Sequence, residues 1–256
     1  MSRGLAPAVA LALLAVVPPT ATAQTPATVP WAAGEFLEYE VKVGMLTAGS
    51  ARMQVLPSDT IRGHTAWRLR FNVTGGFWFL RVNDFYDSWM DVESLSSLRF
   101  VQKLDEAGKK HYREYEIYPD RAMFQQKGKE EAKSVSNPLD DASFFFFVRS
   151  IPLVVGETYE FNRYFDPKSN PVIIRVLRKE HLDVGAGSFD AIVIQPIIKT
   201  GGLFSEGGEA ELWLSDDNRR ILLQMKVKLN VVGSLSLYLK KMRSTQDSTK
   251  SPPRQP

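Results

Sequence analysis

The sequence predicts an all-β protein: a curved, barrel-like or spiral sheet of about a dozen mainly antiparallel strands enclosing one short helix. Three observations carry that expectation. Apolar and polar residues alternate with period two through most of the chain. Turn residues punctuate the alternation at short intervals. Four consecutive phenylalanines, Phe144 to Phe147, interrupt it and need apolar surroundings on every side.

The alternation can be followed from the N-terminal side. LEYEVKV (37–43) and SARMQV (50–55) flank a Gly44-containing turn. AWRLRFNV puts Trp67, Leu69, Phe71 and Val73 on one face and Arg68, Arg70 and Asn72 on the other. HYREYEIY (111–118), VIIRV (172–176) and EAELWL (209–214) repeat the pattern. ILLQMKVKL aligns Ile221, Leu223, Met225, Val227 and Leu229, and SLSLYLK aligns Leu235, Leu237 and Leu239. A single apolar face with β-branched and aromatic residues fits antiparallel strands covering a core, and Asp216-Asp217-Asn218 reads as a turn between two of them.

DDASFFFFVRSIPL (140–153) is the helix candidate. Asn137-Pro138 ends what precedes it, Asp140 or Asp141 suits a helix N-terminus, Arg149 a C-terminal turn, and Pro152 a stop. A buried strand with charged flanks is the competing reading. A sheet of a dozen strands encloses more space than its own side chains fill, since about eight strands is the size at which they suffice. A helix apolar on all sides can occupy the remainder, alone or beside an apolar ligand.

Composition narrows the function. The chain has 256 residues, 44% hydrophobic and 24% charged, an ordinary globular balance. Net charge is +3, and beyond Lys240, Lys241 and Arg243 there is no basic cluster, so nucleic acid is not an expected partner. Without cysteine there is no disulfide, thiol nucleophile, thiolate metal site or lipid-bearing N-terminal cysteine.

Residues 1–23 have the form of a secretory signal peptide. Arg3 leads an apolar run from Leu5 to Val17, and Ala21-Thr22-Ala23 offers the cleavage site. The expected location is therefore the periplasm, with cleavage after about Ala23. Residues 24–33 and 244–256 read as disordered Pro/Ser/Thr-rich tails, and 34–243 as a single β-rich domain. GEFLEYEV (34–41) and GETYEFNR (156–163) open alike, which leaves open two similar halves, 34–150 and 156–243.

GEFLEYEVKVGMLTAG, NDFYDSWMD, the D-D-A-S-x-F-F-F-x-R stretch and WLSDDNRRI, followed by a glycine-containing hairpin, resemble a family of bacterial exported proteins defined as a domain of unknown function. The match runs over about residues 34–243. The resemblance implies a curved β-sheet wrapped around a helix, similar in general shape to the half-barrels of lipoprotein carriers. It implies no catalytic residues. The attachment cysteine of the outer-membrane carrier type is missing.

Candidate binding residues follow from this reading. Met45 and Leu46, Trp78 and Phe79, and Leu203 and Phe204 place apolar groups in connections that are normally polar, where they serve as contacts for a lipid, membrane surface or partner, or fold back as lids. With Phe144, Phe145, Phe146, Phe147, Leu223 and Met225 they form the expected ligand-binding set. NDFYDSWMD sets Phe85, Asp87, Trp89 and Asp91 on one face, which suits either a perturbed carboxylate beside tryptophan or an edge strand with solvated aspartates.

His64, His111 and His181 are isolated and match no zinc pattern, and nucleotide-binding glycine motifs and G-x-S-x-G are lacking, so no catalytic residue, metal or cofactor is expected. The expected function is non-enzymatic binding of a hydrophobic or amphiphilic molecule in the curved sheet. The alternatives are an envelope structural or protein-interaction module with a filled core and, further off, a hydrolase of envelope material. Membrane contact would be peripheral.

Overall fold

The computed structural model describes residues 28–77, 80–106, 108–198, 210–229 and 233–243. The expected signal peptide with its cleavage site, the C-terminal tail, and Trp78, Phe79, Leu203 and Phe204 lie outside the described residues. The first eight strands are β1 (Phe36–Val43), β2 (Leu46–Ile61), β3 (His64–Phe77), β4 (Leu80–Asp91), β5 (Ser97–Glu106), β6 (Lys109–Tyr118), β7 (Met123–Gln126) and β8 (Glu131–Lys133). Helix α1 (Asp141–Ser150) follows. The last six strands are β9 (Thr158–Phe161), β10 (Val172–Val184), β11 (Gly187–Ile198), β12 (Ala210–Ser215), β13 (Leu222–Leu229) and β14 (Gly233–Arg243).

All the described strands belong to one antiparallel sheet in which β1 to β8 form one meander and β9 to β14 a second, joined where β1 pairs with β14. The free edges are β8 and β9, so the sheet is open. NDFYDSWMD is not an edge strand: β4 is paired on both sides, by β3 and β5.

Strand register fixes the inner face. Leu37 pairs with Met53, Met53 with Phe71, and Phe71 with Tyr86, so these four share one side. In the other direction Val41 pairs with Leu237, Leu237 with Met225, Met225 with Leu212 and Leu212 with Ile194. This surface forms one core with α1, in which each large aliphatic side chain contributes about 1.5–3 kcal/mol by leaving water. On the outer side of β4, Asp87 holds Arg70 by both oxygens (2.5 and 2.7 Å), and Trp89 packs with Ile61, Ala66, Leu98 and Val101. The Asp–Trp face of this strand is thus the outer one.

The gap between the edges is sealed by side chains. Phe165, in the β9–β10 connection, lies 5.1 Å from both Tyr115 and Phe124, ring centre to ring centre. The Phe165 amide donates to Leu139 O (2.9 Å), and Ser134 Oγ donates to Phe165 O (2.8 Å). Arg163 donates to Leu95 O (2.6 Å) and Asn137 O (2.7 Å). Opposite glycines mark a close approach in β2 and β3: a Cβ on Gly49 would stand 2.2 Å from Thr74 O.

Residues 28–33, expected as the end of a tail, pack against the protein instead. Trp31 is buried and meets Phe146 edge-on at 5.5 Å. A large aromatic side chain gains more from burial than it loses in chain freedom, even in a Pro/Thr-rich stretch.

Candidate functional site

Helix α1 begins where the sequence expects. Asp140 caps it, its Oδ1 accepting from the Ala142 and Ser143 amides (both 2.9 Å), while Ser143 Oγ accepts from the Asp140 amide (2.8 Å). The start is bolted to the sheet: Ser88 Oγ donates to Asp140 Oδ2 (2.6 Å), and Ser97 and Ser143 share a hydrogen bond of 2.9 Å. Burial pushes the Asp140 carboxyl up to about 6, against the opposing pull of the Ser143 amide and the Ser88 hydroxyl. Burial also raises Asp141, which accepts from Tyr164 (2.7 Å) and Gln102 (3.0 Å). Asp140 is buried beside the apolar core, and Asp141 partly so. Sequence reasoning gave them only a capping role, because nothing local indicates that a cap will be sealed from water.

The far end of α1 is held by charge. Arg149 donates to Glu35 Oε1 (2.6 Å) and Oε2 (3.0 Å), and its Nη2 also reaches Arg219 O (3.0 Å) and Pro30 O (3.3 Å). Glu35 precedes β1 and Arg219 lies in the β12–β13 turn, while Ser97 opens β5. Both termini of α1 are therefore tied to one end of the strands. Between them Phe144, Phe145, Phe146 and Phe147 are all buried, at 6% exposure or less. Phe145 packs on Phe71 (5.4 Å), Phe147 edge-on to Phe161 (5.2 Å). The helix is a plug, and its four rings meet protein on different sides.

The opposite end is built differently. By strand direction β1, β3, β5, β11 and β13 end there. Inward-facing Leu37, Tyr39, Met53, Leu69 and Leu239 are buried near the plug, whereas Val43, Val73 and Leu235, inward at the opposite end, are only half-buried. Met45, at the β1–β2 turn, is 96% exposed and Leu46 63%. They stand in water and do not fold back as a lid. Leu223 and Met225 are buried on the inner wall.

The structure thus brings the four phenylalanines, Leu223 and Met225 into one core and leaves Met45 and Leu46 outside it. Two polar surface pockets, of about 260 Å3 beside Arg149, Asp217 and Arg220 and about 240 Å3 at Glu114, Glu116 and Lys127, include none of the expected ligand-binding residues. His181 lies with Asp190 (3.0 Å) and Asp183 (3.8 Å) on the exposed β10–β11 hairpin, and His64 beside Asp91 (3.2 Å). Among the described residues no three His, Cys, Asp or Glu side chains are grouped to hold a metal.

Fold and site define an open, barrel-like antiparallel sheet, plugged at one end by an apolar helix. The chain belongs to the family described as protein of unknown function DUF3108, whose model matches residues 38–240. A crystal structure from Brucella abortus, described as a β-barrel-like protein of domain of unknown function DUF1849, is similar with a TM-score of 0.52 at 10% identity, covering 85% of this chain and 99% of that one. At that identity the likeness is one of fold. A Parabacteroides distasonis structure described as a candidate lipoprotein has a TM-score of 0.39 at 11% identity, covering 86% of this chain and 100% of that one. A Bacteroides fragilis structure described as a candidate exported protein with a YmcC-like fold has 0.35 at 11%, with the same coverage. No curated protein matches the chain.

Proposed function

We propose that the protein is a non-catalytic periplasmic binder of an apolar or amphiphilic molecule, exported by residues 1–23 and loaded at the end of the sheet away from α1. The observation that carries this reading is a local gradient on β1, β3 and β14 of the inner wall, next to Val227, which pairs with Leu235 and is buried. On these strands the apolar side chains are buried at the plugged end and half-exposed at Val43, Val73 and Leu235. Apolar surface left half-wetted inside a curved sheet is a place for an acyl or similar chain, whose burial is worth about 0.8 kcal/mol per methylene. Phe144 to Phe147 close the other end of the sheet.

The test is organic extraction and mass spectrometry of protein purified without detergent. A stoichiometric amphiphile, reduced in a folded Leu235→Trp variant that fills the open end, supports the reading.

A second reading, an envelope interaction module with a filled core, is favoured by the burial of all four phenylalanine rings against protein. A clean extract from well-folded protein would select it over the first.

A further inference from the structure

One junction of the sheet lacks a ladder. Even the shortest strand pairing, β7 with β8, joins three residue pairs, whereas the free edges β8 and β9 are not paired. A strap of residues 162–171, the β9–β10 connection, closes the gap instead. It meets the far side through a single parallel bridge, Leu139 with Tyr164. The Leu139 amide donates to Arg163 O, the Phe165 amide to Leu139 O, and Ser134 Oγ to Phe165 O. Tyr164 Oη donates to Asp141 Oδ1 (2.7 Å). The strap leaves β9 at Phe161, beside Val172, and Val172 lies opposite Ile198 at the end of β11. The gap it covers therefore reaches the end of the sheet away from α1.

The strap is stitched to itself. Asn170 Oδ1 accepts from the Tyr164 amide (2.8 Å), and its Nδ2 donates to Tyr164 O (2.9 Å). Asp166 Oδ1 accepts from the Lys168 amide (3.1 Å), and Asp166 O from the Ser169 amide (3.0 Å). None of these bonds crosses the gap, so all survive if the strap swings out as a body. Its hold on the far side carries a cost. Arg163 donates to Leu95 O and Asn137 O and lies over the Phe147 ring (4.5 Å), and among the described residues no carboxylate pairs with it. Burial alone lowers its guanidinium to about 10. A cation held out of water without a counter-ion regains its hydration when the strap opens.

Behind the strap lies apolar wall. Phe100 is opposite Ser88, and Ser88 opposite inward-facing Leu69, so Phe100 and its partner Tyr115 face inward. The Phe165 ring fills the space between Phe100, Tyr115 and Phe124, with Ala142 of α1 in the same cluster. We propose that residues 162–171 form a lateral gate, which swings out with Phe165 and admits the apolar chain of an amphiphile sideways to the inner wall; the proposal rests on the binding reading above. A side entrance continuous with the mouth lets the polar head stay in water throughout, which avoids the cost of drawing it through an apolar interior. The gate, rather than the width of the mouth, then sets the rate of loading.

A switchable lock tests it. The chain has no cysteine, so Leu139→Cys/Tyr164→Cys supplies its only thiols, on directly paired residues about 4.8 Å apart, within disulfide range. The probe is cis-parinaric acid, a fatty acid that fluoresces in apolar surroundings, mixed rapidly with protein purified without detergent. Oxidising the pair is expected to slow uptake by about tenfold or more, and reduction to restore it in the same sample. Ser134→Ala removes one tie across the gap and should quicken uptake about fivefold. Hydrogen exchange follows the strap without any ligand: the Leu139 and Phe165 amides should exchange before those of β1 and β14. Uptake indifferent to oxidation rejects the gate and leaves the binding reading standing. No uptake by any of the proteins rejects the binding reading and the gate with it. If the pair fails to fold or oxidise, the other two measurements decide: unchanged uptake in Ser134→Ala, or Leu139 and Phe165 amides that exchange only together with β1, overturns the gate.

Discussion

Arg149 and Glu35 form a two-pronged ion pair of 2.6 and 3.0 Å with neither side chain more than 3% exposed, joining the last turn of the plug helix to the entry of the first strand. The pair spans 114 residues of sequence and holds α1 at its closed end of the sheet. Arg149→Met leaves the Glu35 carboxylate buried without its partner and is expected to cost about 3–5 kcal/mol in urea unfolding. The double variant Arg149→Met/Glu35→Leu should lose less than the single one. Equal losses would show that the Glu35 carboxylate finds water or another donor.

Asp140 should make stability depend on pH. Its folded value is raised to about 6 from an ordinary 3.8, so the protonated form is favoured by folding. The contribution is complete below about pH 4 and is lost as pH rises through about 6. Asn keeps a capping oxygen without the charge. Asp140→Asn is therefore expected to gain on the wild type, by on the order of 1–3 kcal/mol, between pH 4 and pH 7. A difference between the two proteins that stays flat over that range would mean the carboxyl ionises freely in the fold. Asp141, raised in the same direction, is present in both proteins and cancels.

Phe165 is the keystone of the seam between the two free edges. Phe165→Ala removes ring contacts to Tyr115, Phe124 and Phe100 and should cost about 3–5 kcal/mol. Hydrogen exchange is expected to quicken in β7, β8 and β9 before it does in β1 or β14. Uniform acceleration throughout the sheet would show that the seam is not an independent unit.

Gly49 tests the close approach of β2 and β3. A methyl group there would stand 2.2 Å from Thr74 O and 2.7 Å from Gly75 Cα, both backbone atoms that cannot swing aside. Gly49→Ala is expected to destabilise by more than about 1 kcal/mol, although alanine normally suits a strand no worse than glycine. An unchanged midpoint in thermal unfolding would indicate that the two strands separate at little cost.

What could be read from the chain and what could not follows a physical division. Period two in AWRLRFNV and ILLQMKVKL is a local property, so β3 and β13 form there with Leu69, Phe71, Leu223, Met225 and Val227 inward. The Asp140 cap, the Phe144–Phe147 helix and the Asp216-Asp217 turn are also local, set by backbone donors within a few residues. NDFYDSWMD was ambiguous because each of its faces carries both polar and aromatic groups, and only pairing with β3 and β5 decides which looks inward. Trp31 was missed because its partner Phe146 lies far along the chain.

The sequence by itself determined an antiparallel sheet of many strands, a capped apolar helix, and three apolar connections, because alternation, capping and turn chemistry act over a handful of residues. Tertiary structure alone decided that α1 closes one end, that Arg149 meets Glu35, that Phe165 seals the open edges, and that Met45 stands in water. Those relationships join residues distant in sequence, and they are settled by which surfaces the sheet's curvature brings together and which it leaves exposed.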